Sequence, residues 1–334
     1  MPEAGDELAK DRRSWLAQRL RPRFGGTRTV SLALQGGGSF GAFTWGVLDH
    51  LLESGTFRFD TISGSSAGAV NAALLADGLA RGGREAARQR LERFWRRVSS
   101  AAALGPFGRA AATAFELSSR VVSPYQFNPL GLNPLRDILA EEIDFAGLRA
   151  APLRLIIAAT RVRDGRVRLF RNDEITLDAI IASAALPHLH HAVEIDGEWY
   201  WDGGYSANPP LRALVLESAA ADVLLVQITP EGRDAVPRLS PQISRQVNEI
   251  TFNGPLQREV EVLAELTELC RKERFFRSRL CRKLRRLRLH RVAAEASVDG
   301  LHRESAFNLD WSFLTRLKAS GRAAAQAWLA TCEA

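Results

Sequence analysis

An α/β layered fold, a three-layer sandwich with a largely parallel central sheet, is predicted by three features of the sequence. Short apolar runs bounded by glycine or proline alternate with helix-forming stretches from residue 29 to residue 229. Residues 29–63 hold a strand, a glycine loop, a helix and a second strand, which makes one βαβ unit with parallel strands. Residues 223–228 (VLLVQI) form a continuous apolar run, the pattern of a strand buried on both faces.

The elements follow in order. Residues 29–34 (TVSLAL) read as a strand, 35–41 (QGGGSFG) as a glycine loop, 42–53 as a helix and 57–63 as the second strand. A helix rich in alanine and leucine starts at 67, a basic amphipathic helix covers 84–98, and 101–122 is a mostly apolar, small-residue helical stretch. After prolines 124, 129 and 134, a helix over 133–143 has Asn133 as N-cap and Pro134 in its first turn. Strands at 153–159 and 167–170 are joined through Asp164-Gly165, and a helix follows at 177–186. Residues 192–195 and 198–201 form a hairpin on a two-residue Asp196-Gly197 turn. Prolines 230, 237 and 241 mark a linker, and the remainder reads as helices. The expected organisation is an N-terminal arm (1–27), a catalytic α/β domain (28–230) and a helical C-terminal region (231–334).

The chemistry centres on Gly64-Ser65-Ser66-Ala67-Gly68. Glycines two residues to each side of a serine allow a sharp strand-to-helix turn, so Ser66 is the candidate nucleophile and Gly64 and Gly68 shape its turn. The glycine loop, with Gly36, Gly37, Gly38 and Gly41, lies at the carboxyl end of the neighbouring strand. Its backbone N–H groups suit an oxyanion hole beside a helix N-terminus. The same loop matches a dinucleotide fingerprint, but the second strand ends in Ser63-Gly64 and lacks the acidic residue that would hold a ribose. The candidate general base is Asp202, followed by Gly203 and Gly204, with Trp199, Tyr200 and Trp201 expected to desolvate it and raise its pKa. His188, His190 and His191 cluster in sequence without a partnering Cys, Asp or Glu set, so no metal and no cofactor is expected.

GGGSFG after the first strand, GSSAG after the second, ASAALP in the middle and DGG after a Trp-rich hairpin together resemble the patatin-like phospholipase family over about residues 29–229. The resemblance implies a Ser-Asp dyad: Ser66 attacks an ester carbonyl, Asp202 takes its proton, and Gly36 to Gly38 supply oxyanion donors. It implies a lipid or related acyl ester as substrate. One position departs, because Phe40 stands where the family often has Arg or Lys, and the departure bears on a loop contact to substrate phosphate. The rival within enzymes is a Ser-His-Asp α/β-hydrolase, with His290 or His302 as base. That fold builds several strands before its nucleophile, and only about 35 residues precede Ser66 from the first strand's start. The rival from another class is an inactive, membrane-associated scaffold of the same fold.

Composition fits a globular enzyme, with 46% hydrophobic and 25% charged residues. The charged N-terminal stretch lacks the apolar core of a signal peptide, and no run of 18 apolar residues occurs. Cys270, Cys281 and Cys332 lack framework spacing, which points to a reducing compartment. Cytoplasmic residence is therefore expected, with peripheral contact on the inner face of a membrane. That contact would come from residues 271–291, where eleven Arg or Lys face one acid and Phe276, Leu280, Leu284 and Leu287 recur at helical spacing. The competing reading packs this stripe on the core. No nucleic-acid motif accompanies the charge, so nucleic acid is not an expected partner.

Overall fold

Strand β1 (Arg28–Leu34) runs into the glycine loop, helix α1 (Gly41–Ser54) returns, and β2 (Phe57–Gly64) lies parallel to β1, as the βαβ pattern requires. This computed structural model describes residues 28–104, 122–230, 236–272, 278–294 and 306–333. The expected N-terminal arm, most of the 101–122 stretch, Phe276 and His302 lie outside the described residues. After β2 comes α2 (Ala67–Leu104), which absorbs the expected basic helix at 84–98 and is broken at Gly82 and Gly83 by non-helical backbone. Short helices α3 (Pro124–Phe127), α4 (Pro134–Glu142) and α5 (Phe145–Ala150) lead to β3 (Arg154–Arg161) and β4 (Val167–Arg171). The Asn133 side chain accepts from the Leu135 amide, which makes it the N-cap of α4. Helix α6 (Leu177–Ser183), the hairpin β5 (Val193–Ile195) and β6 (Glu198–Asp202), α7 (Leu211–Glu217) and β7 (Asp222–Gln227) complete this part. The chain continues through α8 (Ser240–Lys272), α9 (Arg279–Arg286), β8 (Arg288–Ala293) and α10 (Trp311–Glu333).

The sheet has the order β5-β6-β3-β2-β1-β7-β8, with β4 also on β3. Strands β1, β2, β3, β7 and β8 are mutually parallel, and β4 and β6 run antiparallel to β3. Overlap of the pairings decides the position of the site. Strand β4 shares positions 156–157 of β3 with β2 and 159–160 with β6, so it occupies the opposite edge from both. Strand β6 therefore continues the edge that β2 leaves at its carboxyl end. Gly64 pairs with Ile157 and Asp202 with Ala159, only two residues farther, or roughly 7 Å along the strand.

Helices cover both faces. On one, α1, α2 and α10 bury Phe43, Trp45, Leu48, Leu74, Phe313 and Leu317 against Val30, Leu32 and Leu34 of β1. On the other, α7, α8 and α9 bury Leu211, Leu214, Leu263 and Leu284 against Ala33, Val223 and Leu225. Alternation of residues along β1 and β7 sends neighbours to opposite faces, which gives the three layers.

The C-terminal third is not helical throughout, as the sequence suggested. Arg288–Ala293 form β8, which pairs parallel with the whole of β7, and α10 packs on α1, so the sheet and its core cross the boundary expected at 230. The expected basic amphipathic helix over 271–291 is corrected as well. Within it, α9 spans only Arg279–Arg286, and the chain then turns into a strand. Its apolar side is spent on the protein: Cys281, Leu284 and Leu287 are buried in the second core, whereas Leu280 is exposed. Lys283 donates to the carbonyls of Leu216 and Ser218, and Arg285 to that of Cys270. Leucines at helical spacing beside a neighbouring sheet face found a core there, which outcompetes insertion in a lipid interface.

Candidate active site

Leu34 of β1 pairs with Gly64 of β2, so the glycine loop and the Ser66 turn leave the sheet side by side. Ser66 holds a left-handed backbone with φ 54°, a conformation that costs a non-glycine residue about 1–3 kcal/mol. Local contacts offset that cost. The Ser66 amide donates to both the carbonyl (3.1 Å) and the hydroxyl (3.0 Å) of Ser183 at the end of α6. The Ser65 hydroxyl donates to the Ala207 carbonyl at 2.5 Å, and the Gly68 amide to the Ser65 carbonyl at 2.8 Å. Gly64 and Gly68 let α2 start against the strand end, because a methyl on Gly64 would strike the backbone of Gly68.

The glycine loop lies directly on the serine turn: a methyl on Gly36 would sit 2.6 Å from Ser66 Cβ. Gly38 has φ 59° and opens a 3-10 turn that leads into Gly41, the first residue of α1. The loop's amides are not equivalent. Gly36 N–H donates to Asn208 Oδ1 at 2.7 Å, Ser39 N–H to the Ala306 carbonyl at 2.8 Å and Phe40 N–H to the Gly37 carbonyl at 3.3 Å. Gly37 and Gly38 N–H have no acceptor among the described residues, which leaves them open to one from a ligand. Gly36, expected as a donor too, is already engaged. Phe40 packs edge-on against Phe313 of α10 with ring centroids 6.0 Å apart, so this position serves the core.

Asp202 closes β6 and is fully buried. Its Oδ1 accepts from the Gly204 amide at 2.7 Å, in the 3-10 turn formed by Gly203 and Gly204. Burial pushes the carboxyl up to about 7, against the lowering influence of hydrogen bonds from the Ser66 hydroxyl and the Gly204 amide. The serine contact is loose: Oδ2 has no partner that meets strict hydrogen-bond geometry. No Lys, Arg or His hydrogen-bonds or pairs with this carboxylate among the described residues.

The desolvation has a different source from the one expected. Trp199 is half exposed and Trp201 partly exposed, since period-2 alternation turns them to the face opposite Asp202, and Tyr200 lies in the core beside Phe170. The ring of Phe252 on α8 lies against Gly204 instead, and the Tyr205 ring is tilted against it with centroids 5.0 Å apart. Burial and the neighbouring Asp202 charge push the Tyr205 hydroxyl up to about 12.

His190, His191 and His290 find partners other than Ser66 and Asp202. His290 is buried, with Nε2 3.0 Å from Asp222 Oδ1 and its ring 5.7 Å from that of Trp328. His190 is held near 4 by burial and by His191, and its Nδ1 faces the Leu186 amide. His191 stacks on Tyr125 at 4.1 Å. No cluster of three metal-ligating side chains exists among the described residues.

Ser183, Asn208, Tyr205 and Phe252 escaped the reading of the sequence. Ser183 was visible inside ASAALP without a role, and nothing local marks the other three as partners of the glycine loop or of the turn after Asp202.

A pre-bent serine, two amides without an acceptor among the described residues and a carboxylate pushed up by burial suit nucleophilic attack on a carbonyl. Comparison with known proteins bears on the same residues. Similar solved structures are VipD from Legionella pneumophila (13% identity, TM-score 0.44, covering 92% of this chain and 67% of that one) and the type III effector ExoU (18%, 0.36, 92% and 53%). ExoU in its heterodimeric complex with SpcU from Pseudomonas aeruginosa gives 15% identity and a TM-score of 0.32, covering 93% of this chain and 69% of that one. The chain thus spans about half of ExoU and two thirds of VipD. No curated protein matches it in sequence. The model of the patatin-like phospholipase family matches residues 32–215, a span that takes in the glycine loop, the Ser66 turn and Asp202. With more than half of its length matched, the chain belongs to the patatin-like phospholipase family.

Proposed function

We propose that this protein is a lipid acyl hydrolase that cleaves carboxylic ester bonds through an acyl-Ser66 intermediate, with Asp202 as general base. The observation that carries the reading is the Asp202 carboxylate, buried next to the Ser66 hydroxyl and titrating near 7, where it can both take and return a proton. Ser66 Oγ attacks the ester carbonyl as Asp202 accepts its proton, and the oxyanion is held by Gly37 and Gly38 N–H. Collapse expels the alcohol, which takes the proton back from Asp202. A water activated by Asp202 then attacks the acyl-serine, releases the fatty acid and restores Ser66. Each oxyanion donor contributes about 10²–10³-fold in rate.

Hydrolysis of a p-nitrophenyl ester and of phosphatidylglycerol vesicles, with Ser66→Ala as control, tests the reading. A fluorophosphonate should add once, at Ser66, by peptide mass. Equal turnover in Ser66→Ala, or label on another residue, contradicts it, and a wild type inert to probe and esters favours the inactive scaffold.

Membrane contact is proposed as surface adsorption only. Leu284 and Leu287 of the expected stripe are buried, and the exposed Arg279, Arg282 and Arg286 of α9 are left to face anionic headgroups at about 1 kcal/mol each. No helix among the described residues is long and apolar enough to cross a membrane. A reducing, cytoplasmic setting is proposed on the cysteine spacing alone, since Cys270, Cys281 and Cys332 form no framework pattern.

A further inference from the structure

Two buried amides surround the glycine loop, and neither takes part in the chemistry above. Asn208 is fully buried and grips the Gly36 peptide from both sides: its Oδ1 accepts from Gly36 N–H at 2.7 Å, and its Nδ2 donates to the Gly36 carbonyl at 3.3 Å. The same Nδ2 donates to the Phe252 carbonyl of α8 at 3.2 Å. Gln35, also fully buried, accepts from the amides of Ile228 (2.8 Å) and Thr229 (2.9 Å) and donates to Asn253 Oδ1 at 2.9 Å. Asn253 in turn donates to the Pro230 carbonyl.

We infer that Asn208 is a positioning residue for the oxyanion loop and that α8, through Phe252 and Asn253, is the backing against which the loop is set. The inference rests on the acyl-hydrolase reading and deepens it. A glycine run has no side chains to hold its shape, and an oxyanion hole works only when its donors are fixed before charge develops. By occupying both polar groups of Gly36, Asn208 fixes the peptide plane from which Gly37 and Gly38 N–H follow. The backing lies outside residues 32–215, so the family-matched segment depends on the C-terminal region for the geometry of its own loop.

The test compares wild type, Asn208→Leu and Asn253→Ala in the full chain. Turnover of the p-nitrophenyl ester is measured against pH, together with affinity for an alkylboronic acid, whose tetrahedral serine adduct places an oxygen in the oxyanion hole. Asn208→Leu should lower kcat on the order of 10²-fold and weaken boronate binding by a similar factor. KM and the pH midpoint near 7 should stay in place. Asn253→Ala should shift both quantities the same way by about tenfold, a fraction of the cost of a whole donor. A general loss of folding would lower the fluorophosphonate titre and leave the remaining sites normal. Should neither variant fold, hydrogen exchange in the wild type decides: Gly36 N–H protected without ligand, Gly37 and Gly38 protected only with boronate. Folded variants within threefold of wild type in both kcat and boronate affinity, or a Gly36 amide exchanging as fast as Gly37, overturn the inference. A wild type without Ser66-dependent turnover overturns the acyl-hydrolase reading first.

Discussion

Asp202 and Asp222 are buried carboxylates on one sheet, at opposite ends of its parallel strands, and burial has opposite outcomes for them. Asp222 opens β7, where burial alone would raise its pKa, but hydrogen bonds from Arg288 and His290 override it and hold the carboxyl below the ordinary value. Arg288 donates to both oxygens, at 2.6 and 2.5 Å. Asp202 receives only a serine hydroxyl and one amide, and burial prevails. An anion stabilised by two basic partners is a fastener, whereas one left without a cation is poised to take a proton. On the proposed reading, the same desolvation serves structure at the amino end of the sheet and chemistry at the carboxyl end.

The largest expected difference is in activity. Ser66→Ala and Asp202→Asn should each lower esterase turnover on the order of 10³-fold or more, with the double variant little worse, because residues acting as a unit are not additive. Asp222→Asn should leave turnover per folded molecule within about threefold, a change of less than 1 kcal/mol in the barrier. A comparable loss at Asp222 would break the division of labour between the two ends.

Stability should divide the pair in the other direction. Asp222→Asn leaves Arg288, a third exposed, and buried His290 with a neutral partner and should cost about 1–3 kcal/mol, the range for a buried polar group that loses its partner. Its depressed pKa contributes stability that is present above the unfolded value of 3.8 and lost as pH falls through the lower folded value. Asp202, raised from 3.8 to about 7, is destabilising once ionised. That rise sets an upper bound on the order of 4 kcal/mol at pH 8, fading as pH falls from 7 to below 3.8. Asp202→Asn should therefore raise the melting temperature at pH 8 and leave it nearly unchanged at pH 4. A destabilised Asp202→Asn at pH 8 would break that sign.

Smaller effects concern the histidines and the basic segment. Gln at His188, His190, His191, His290 or His302, one at a time, should leave kcat/KM within about tenfold, below the usual cost of a lost general base. A several-hundredfold drop in a folded variant would restore the triad reading. In α9, Leu284→Ala should cost about 2–5 kcal/mol in chemical denaturation, as a core deletion does. Arg282→Gln with Arg286→Gln should change stability by no more than about 0.5 kcal/mol per site while weakening binding to anionic vesicles in a salt-dependent way. Unchanged stability in Leu284→Ala would return that leucine to the membrane.

What could be read from the sequence follows the range of the forces involved. Ser66 and its flanking glycines were legible because a strand-to-helix turn needs those residue types within five positions. Asp202 was legible through Asp-Gly-Gly, although its burial was assigned to Trp199 and Trp201, and the face a side chain takes depends on strand register. Ser183 reaches Ser66, Asn208 the glycine loop and Phe252 the Gly204 turn only through folding, over 117 residues in the case of Ser183, so spacing carried no trace of them. The leucines at 284 and 287 were correctly periodic, but periodicity names a buried face without saying what buries it. Strand β8 was hidden for the same reason, since its arginines, Arg288 and Arg291, find Asp222 and Gln227 on the neighbouring β7.

The pH dependence of fluorophosphonate addition to Ser66 tests the central claim most directly, because it reads the nucleophile and its base in one chemical step. Between pH 5 and 9 the wild-type rate should rise through a single midpoint near 7, and Asp202→Asn should react on the order of 10³-fold more slowly with that rise gone. A wild-type rate that is flat across this range, or the same midpoint persisting in Asp202→Asn, would contradict the assignment of Asp202 as the base.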